Sequence, residues 1–316
     1  MRAHISEDFQ GRVRYDEPMS AHTSWHAGGP ADVFFSPRDV EDLAAFLRAL
    51  PADVPVVWVG LGSNLLVREG GIRGVVVATP GAFTRIERRS QTRIYCQASV
   101  PCARIARSCS NWGLSQGEFF SGIPGTLGGA LAMNAGAYGD ETWRHVLAVE
   151  TIDRRGQRRT RQAQEFRIDY RHVDWPEQAA QEWFLSAELQ FEPATAERSH
   201  ALHALTQRRR ETQPLGAWSC GSVFKNPPGD HAARLIEAAG LKGYRIGDAV
   251  VSDKHANFIV NQGQARAAEL EQLISHVRTT VQQTHGVALE PEVRIIGEPL
   301  AAAAAAVATD AGQGGQ

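Results

Sequence analysis

Two periods of hydrophobic spacing organise this chain. Helical spacing runs over Val40–Leu50 and over Ala103–Gly113, where Gly113 supplies the cap. Leu270, Leu273, Ile274, Val277 and Val281 share one helix face, which reads as core. Two further helices are predicted. One runs from Ala196 to Arg210 and stops before Pro214; the other runs from an N-cap at Asp230 to Ala239, with Gly240 at its end. β-branched runs at 54–59 and 74–78 and the alternation over 92–98 predict strands. Val146–Ile152 and Arg158–Gln162 predict a hairpin. Trp183, Leu185, Ala187, Leu189 and Phe191 alternate as a half-buried strand should, and a closing strand is predicted over Val287–Ile296.

These elements group into an α+β chain of three parts, 1–80, 81–195 and 196–297. An Ala-rich tail over 298–316 has no apolar period and is expected to be disordered. The 316 residues suffice for about two ordinary domains, and 43% hydrophobic with 22% charged residues describes a chain able to bury a core. Net charge is −2, too little for a field that would gather a polyanion, so wholesale nucleic-acid binding is not expected. The start, Met1 to Gln10, lacks the apolar core of a signal peptide, and no run approaches the length of a membrane span. Cys96, Cys102, Cys109 and Cys220 form no CxxC pair and read as reduced thiols of a cytoplasmic protein. His22 with His26, and His200 with His203, lack a third ligand, so no metal is expected. Arg154, Arg155, Arg158, Arg159 and Arg161 ring the hairpin turn. They admit a phosphate patch, but a solvated rim is the favoured reading.

Glycine marks the candidate chemistry. Gly60-Leu-Gly-Ser-Asn64 begins like a dinucleotide fingerprint, yet Leu65 stands where its third glycine belongs and a strand follows, which disfavours a Rossmann site. There is no Walker sequence and no G-x-S-x-G elbow. Ser121-Gly-Ile-Pro-Gly-Thr-Leu-Gly-Gly129, continued by Met133-Asn-Ala-Gly-Ala-Tyr-Gly139, is richer still. Such loops either let the backbone approach a pyrophosphate and a flat ring closely, or are simply long structural loops.

With Phe120-Ser121, Leu65-Leu-Val67, Gly221-Ser-Val-Phe-Lys-Asn-Pro227 and Glu292-Val-Arg-Ile-Ile-Gly297, these segments occur in one order over roughly 20–297. Together they closely resemble the UDP-N-acetylenolpyruvoylglucosamine reductase family, in its shorter branch without the inserted tyrosine loop. The resemblance implies two α+β subdomains of the vanillyl-alcohol-oxidase type holding non-covalent FAD, and a third domain that takes the UDP-sugar. It implies pyrophosphate contacts at Gly60, Gly62, Ser63, Asn64 and Leu65. Flavin contacts would lie around Ile123, Pro124, Gly125, Thr126, Gly128 and Gly129, with Asn134, Ala135 and Gly136 close by. NADPH would be the co-substrate and the chain a monomer. The implied reaction reduces an enolpyruvyl ether to a lactyl ether, which develops enolate charge and then needs a proton.

Ser222 matches the family's proton donor, Arg171 its enolate-stabilising arginine and Glu292 its carboxylate, expected with a raised pKa or a shared proton. Val173 departs from the small hydroxyl residue usual after that arginine segment. Spacing alone does not separate Glu292 from Glu290, because two residues apart on a strand they face one side. Lys225 and Asn226 are expected to contact substrate, with Lys254 and His255 as weaker candidates. The alternative is an oxidase of the same fold acting on another small substrate, its flavin anchored through His22 or His26.

Overall fold

The structure, a computed structural model, describes residues 9–177, 181–194 and 201–300. The tail beyond 300, His200 and the start of the helix expected from Ala196 lie outside the described residues. Among the described residues two compact units emerge, each assembled from separated stretches: unit 1 within 9–13, 35–61 and 76–213, unit 2 within 14–34, 62–75 and 214–300. Among the described residues no helix is long and apolar enough to cross a membrane.

Unit 1 is built around a five-stranded antiparallel sheet. Its order is Arg158–Gln162, Val146–Asp153, Glu182–Gln190, Arg93–Gln97, Ile86–Arg88. Helix α1 (Val40–Ala49) starts where the Asp39 side chain accepts from the Asp42 N–H at 2.9 Å, and it buries Leu43, Phe46 and Leu47. Helix α2 (Cys102–Asn111) buries Cys102, Ile105 and Cys109, three and four residues apart. Helix α3 (Leu127–Met133) and helix α4 (Ala201–Thr212) complete the unit. Ile94, Ile105, Phe120, Leu127, Leu131, Leu189 and Phe191 form its core.

Glu182–Gln190 is not the half-buried strand its alternation predicts. Phe184, Leu185, Ser186 and Ala187 are all at most 4% exposed, because this is the middle strand of five and a register shift opposite Glu150 and Thr151 breaks strict parity. Of the hairpin arginines, Arg155, Arg158 and Arg159 are exposed as a solvated rim requires, whereas Arg154 and Arg161 are not. Arg154 donates to the carbonyls of Pro51 and Val54. Arg158 pairs with Glu150, and Arg159 lies 3.7 Å from Asp153. Arg161 is buried, its fork on Glu182 at 2.8 and 2.6 Å.

Unit 2 packs helix α5 (Ala232–Ala238) and helix α6 (Ala267–His285) on a short antiparallel sheet ordered Trp218–Ser219, Ile259–Asn261, Ala249–Val251, Arg245–Ile246. The α6 stripe Leu270, Leu273, Ile274, Val277 and Val281 is core, joined by Trp25, Phe224 and Leu235. Asp230 is not the cap of α5, which begins two residues later at Ala232. The carboxylate instead takes the His231 N–H and Arg234, while Asn226 Oδ1 accepts from the Ala232 N–H at 3.1 Å. The expected strand over Val287–Ile296 shrinks to Arg294–Ile296, which pairs in parallel with Leu65–Val67. Within 287–293 the pairing is confined to an isolated antiparallel bridge between Pro291 and Phe224.

Candidate active site

In unit 1 the two glycine segments meet. A Cβ on Gly60 would stand 2.7 Å from Thr126 Oγ1, and nothing lies within 4 Å of one on Gly129. The second segment is pinned by its backbone. Cys102 N–H donates to Gly125 O at 2.9 Å, Leu127 N–H to Val100 O at 3.0 Å and Gly128 N–H to Ala98 O at 2.7 Å. A side chain at Gly128 would press on Ala98 at 3.1 Å. Ile123 is buried and Pro124 exposed. The loop is therefore rigid and bare of side chains on one side, a surface that a flat ring can approach.

Asn134 follows. It caps α3 in the left-handed region at φ 41°, is fully buried, and commits its side chain within unit 1. Its Nδ2 donates to Glu141 Oε2 at 2.7 Å and to Asp169 O at 3.1 Å, and its Oδ1 accepts from Trp143 N–H at 3.2 Å. The carbonyls of Asn134 and Gly136 accept from the Arg171 guanidinium at 3.3 and 2.9 Å. Arg171 itself has φ 55°, on a turn between the short strands Arg167–Asp169 and His172–Asp174. Ala135 O takes both the N–H and the hydroxyl of Thr142, fixing the peptide between those two carbonyls. So Arg171 and the Asn134–Gly136 segment form one assembly. Val173, the departure after Arg171, is buried opposite Ile168.

In unit 2, Gly62 sits at φ 61°, and a Cβ there would collide with His22 O at 2.0 Å, so only glycine fits. Ser63 and Leu65 are half-buried beside it. Asn64 is turned inward: its Nδ2 donates to Glu292 O at 3.0 Å, and its carbonyl accepts from Arg294 N–H at 3.0 Å. Val223 O accepts from Glu292 N–H at 2.8 Å, which sets the Ser222 and Glu292 segments side by side. Both residues are half-buried. The two glutamates that spacing left equivalent have different surroundings. The Glu290 side chain is 69% exposed and meets Lys225 Nζ at 2.6 Å, whereas the Glu292 carboxylate helps burial to push the Cys220 thiol up. Asn226 is exposed apart from its bond to α5.

Lys254 and His255 follow Ser252, whose Oγ accepts both their N–H groups. Burial holds the His255 imidazole below its ordinary range. The histidines considered for a covalent flavin are engaged within unit 2: His22 stacks on Phe34 and meets Glu17 at 2.7 Å, and His26 leans on Trp218. Sequence reasoning missed Asn257. This buried amide accepts from Phe224 N–H at 3.0 Å and donates to Phe224 O at 2.8 Å. The available signal was a lone amide inside Ala256-Asn-Phe-Ile-Val260, where a buried polar group must find partners.

Residues 213–296 match the family model described as UDP-N-acetylenolpyruvoylglucosamine reductase, C-terminal domain, and residues 31–161 match the model described as FAD binding domain. A UDP-N-acetylenolpyruvoylglucosamine reductase of Alkalilimnicola ehrlichii is 55% identical over 289 residues, 91% of this chain and 96% of that one. One from Methylococcus capsulatus is 54% identical over 283 residues, 89% and 92% of the two chains. The solved UDP-N-acetylenolpyruvylglucosamine reductase of Thermus caldophilus superposes with a TM-score of 0.76 at 31% identity, covering 90% of this chain and 98% of that one.

Proposed function

Since this chain belongs to the UDP-N-acetylenolpyruvoylglucosamine reductase family of FAD-dependent oxidoreductases, we propose that it reduces UDP-N-acetylglucosamine enolpyruvate to UDP-N-acetylmuramate, with NADPH as hydride source. The residues of unit 1 fit the cofactor: a bare backbone at Gly60 against Thr126, and open space where a side chain on Gly129 would stand. FAD, when bound, carries hydride from NADPH to the methylene carbon of the enolpyruvyl group.

The chain's own residues manage the charge and the proton. Hydride addition leaves negative charge on the neighbouring carbon and its carboxylate. Arg171 suits that charge through its forked donors, and its attachment to the carbonyls of Asn134 and Gly136 leaves it little reorganisation to make. Ser222 gives the proton to the carbanion. A serine hydroxyl is a weak acid, so its contribution depends on position. Glu292 shares a proton with the substrate carboxylate in a hydrogen bond between the two, and Lys225 with Asn226 lines the substrate's approach. In this reading 1–80 and 81–195 serve the cofactor and 196–297 the sugar nucleotide, in a cytoplasmic monomer.

The observation that carries the reading is the tie of Val223 O to Glu292 N–H, which joins the proton-donor segment to the carboxylate segment. The test is anaerobic NADPH consumption by the flavin-loaded protein with and without UDP-N-acetylglucosamine enolpyruvate. Turnover that requires the sugar nucleotide is expected. A yellow protein that consumes no NADPH with it, or consumes it equally without it, would overturn the assignment.

A further inference from the structure

We propose that Asn257 is a positioning residue that holds both Ser222 and Glu292 in working geometry; this rests on the reductase reading and on the roles given there to those two residues. The inference comes from where the hydrogen bonds of one backbone segment end. Asn257 is 4% exposed, between buried Ala256 and Phe258. Its side chain closes a two-way bond with Phe224, accepting from the N–H and donating to the carbonyl. Its own carbonyl accepts from Val223 N–H at 2.9 Å. Three hydrogen bonds from one residue, two of its side chain and one of its backbone, thus fix the three peptides that directly follow Ser222.

The far side of that segment carries Glu292. Val223 O accepts from Glu292 N–H at 2.8 Å, Lys225 N–H donates to Glu290 O at 2.9 Å, and Phe224 bridges to Pro291. The carbonyl of Glu292 is taken by Asn64. The order across unit 2 is therefore Asn257, then 223–225, then 290–292. A shift of the middle layer moves the serine directly and the glutamate through its N–H. Phe224 and Val223 are buried, so no water replaces the bonds if the amide is removed. Proton transfer from a poor acid is sensitive to such a shift: a misplacement of about 1 Å is worth on the order of 100-fold in rate.

The test compares Asn257→Ala with wild type and with Leu273→Ala, a truncation of the fully buried α6 stripe. Each flavin-loaded enzyme is reduced anaerobically by NADPH, then mixed with UDP-N-acetylglucosamine enolpyruvate. Melting temperature and amide hydrogen exchange over 222–225 are measured alongside. For Asn257→Ala we expect flavin reduction within about 2-fold of wild type, reoxidation by the sugar nucleotide slowed about 10- to 100-fold, and faster exchange over 222–225. Leu273→Ala should melt lower, with both half-reactions near wild type. Should Asn257→Ala fail to fold, Asn257→Asp keeps the acceptor for Phe224 N–H, loses the donor, and should show the same one-sided slowing. Wild-type reoxidation in Asn257→Ala, or equal slowing in Leu273→Ala, would overturn the positioning role. A wild-type enzyme not reoxidised by the sugar nucleotide would instead overturn the reductase reading, and this role with it.

Discussion

Replacement of Asn134 separates two accounts of that residue, a flavin contact through its side chain or an internal brace for the Arg171 assembly. Its amide serves Glu141, Asp169 and the Trp143 N–H within unit 1. Alanine leaves the buried Trp143 N–H without a partner, a loss of about 1–3 kcal/mol. It also puts a Cβ-bearing residue without a helpful side chain at φ 41°, worth about 1–2 kcal/mol. Glu141 and Asp169 are more accessible and recover water, so Asn134→Ala should destabilise by about 2–4 kcal/mol in all. Asn134→Gly makes the same hydrogen-bond deletion without the left-handed strain and should be about 1 kcal/mol milder. Asn134→Asp should be worse than either. It sets a carboxylate where the amide donor now meets Glu141 Oε2 at 2.7 Å, and like charges at that distance repel strongly. Equilibrium urea unfolding followed by tryptophan fluorescence reads all three. If aspartate is tolerated as well as glycine, or alanine as well as glycine, the brace and its left-handed geometry are wrong.

Three further outcomes follow from the site and the core. Ser222→Ala should leave reduction of the flavin by NADPH intact and slow reoxidation by the enolpyruvyl substrate by about 100-fold or more; equal loss in both half-reactions would make the serine structural. Glu182→Gln should destabilise by about 1–3 kcal/mol at pH 7, because it takes the buried one of the two carboxylates, Glu182 and Glu165, from the Arg161 guanidinium. That guanidinium holds the Glu182 carboxyl below its ordinary range, so the stability is full above the unfolded carboxyl's pKa of about 4.3 and fades as pH falls through the lower folded value. The gap between wild type and Glu182→Gln should therefore narrow in acid; a constant gap from pH 7 down to about pH 3 contradicts the ion pair. Burial pushes all four thiols up, that of Cys109 to about 12. A thiol reagent at pH 8 should accordingly label the native protein slowly and the unfolded protein at all four cysteines, and rapid native labelling of any one would refute the burial.

The elements that periodicity found are those held by local pattern. Val40–Ala49, the hairpin about Gly156 and the α6 stripe were legible because one apolar face, one turn or one cap decides each. The failures share a different cause. Glu182–Gln190 alternates like a half-buried strand but lies buried in the middle of its sheet, a fact fixed by partners distant in sequence. Val287–Ile296 looks extended, yet only its last three residues form a strand, against Leu65–Val67, and Pro291 makes an isolated bridge to Phe224. Asp230 satisfies the local rule for a cap, but an acceptor six residues before Ala232, Asn226, takes that N–H instead. The site residues divide the same way. Ser222, Arg171 and Glu292 came from motifs, as did Asn64 and Asn134 as cofactor contacts, whereas the bracing bonds of those two asparagines and the whole of Asn257 show themselves only in the fold.

That all three of these groups are asparagines has a physical reason. The proposed chemistry needs one positive charge, on Arg171, and a carboxyl that shares a proton, on Glu292, to meet a developing anion. Any buried charge used as a brace beside them would shift their protonation and compete for the same partners. A primary amide offers two donors and an acceptor with no net charge. It can therefore bind a peptide N–H and a carbonyl at once, as Asn257 does with Phe224, and leave the local field to the reacting groups. Aspartate should accordingly be a poor substitute at 134 and 257, although it matches asparagine in shape. At 134 it meets the carboxylate of Glu141, and at 257 it cannot donate to Phe224 O. At 64, on the strand edge, the half-buried residue can keep its carboxylate hydrated, so Asn64→Asp should be the mildest of the three. Melting temperatures of the three aspartate variants, measured together, would show whether burial sets that order.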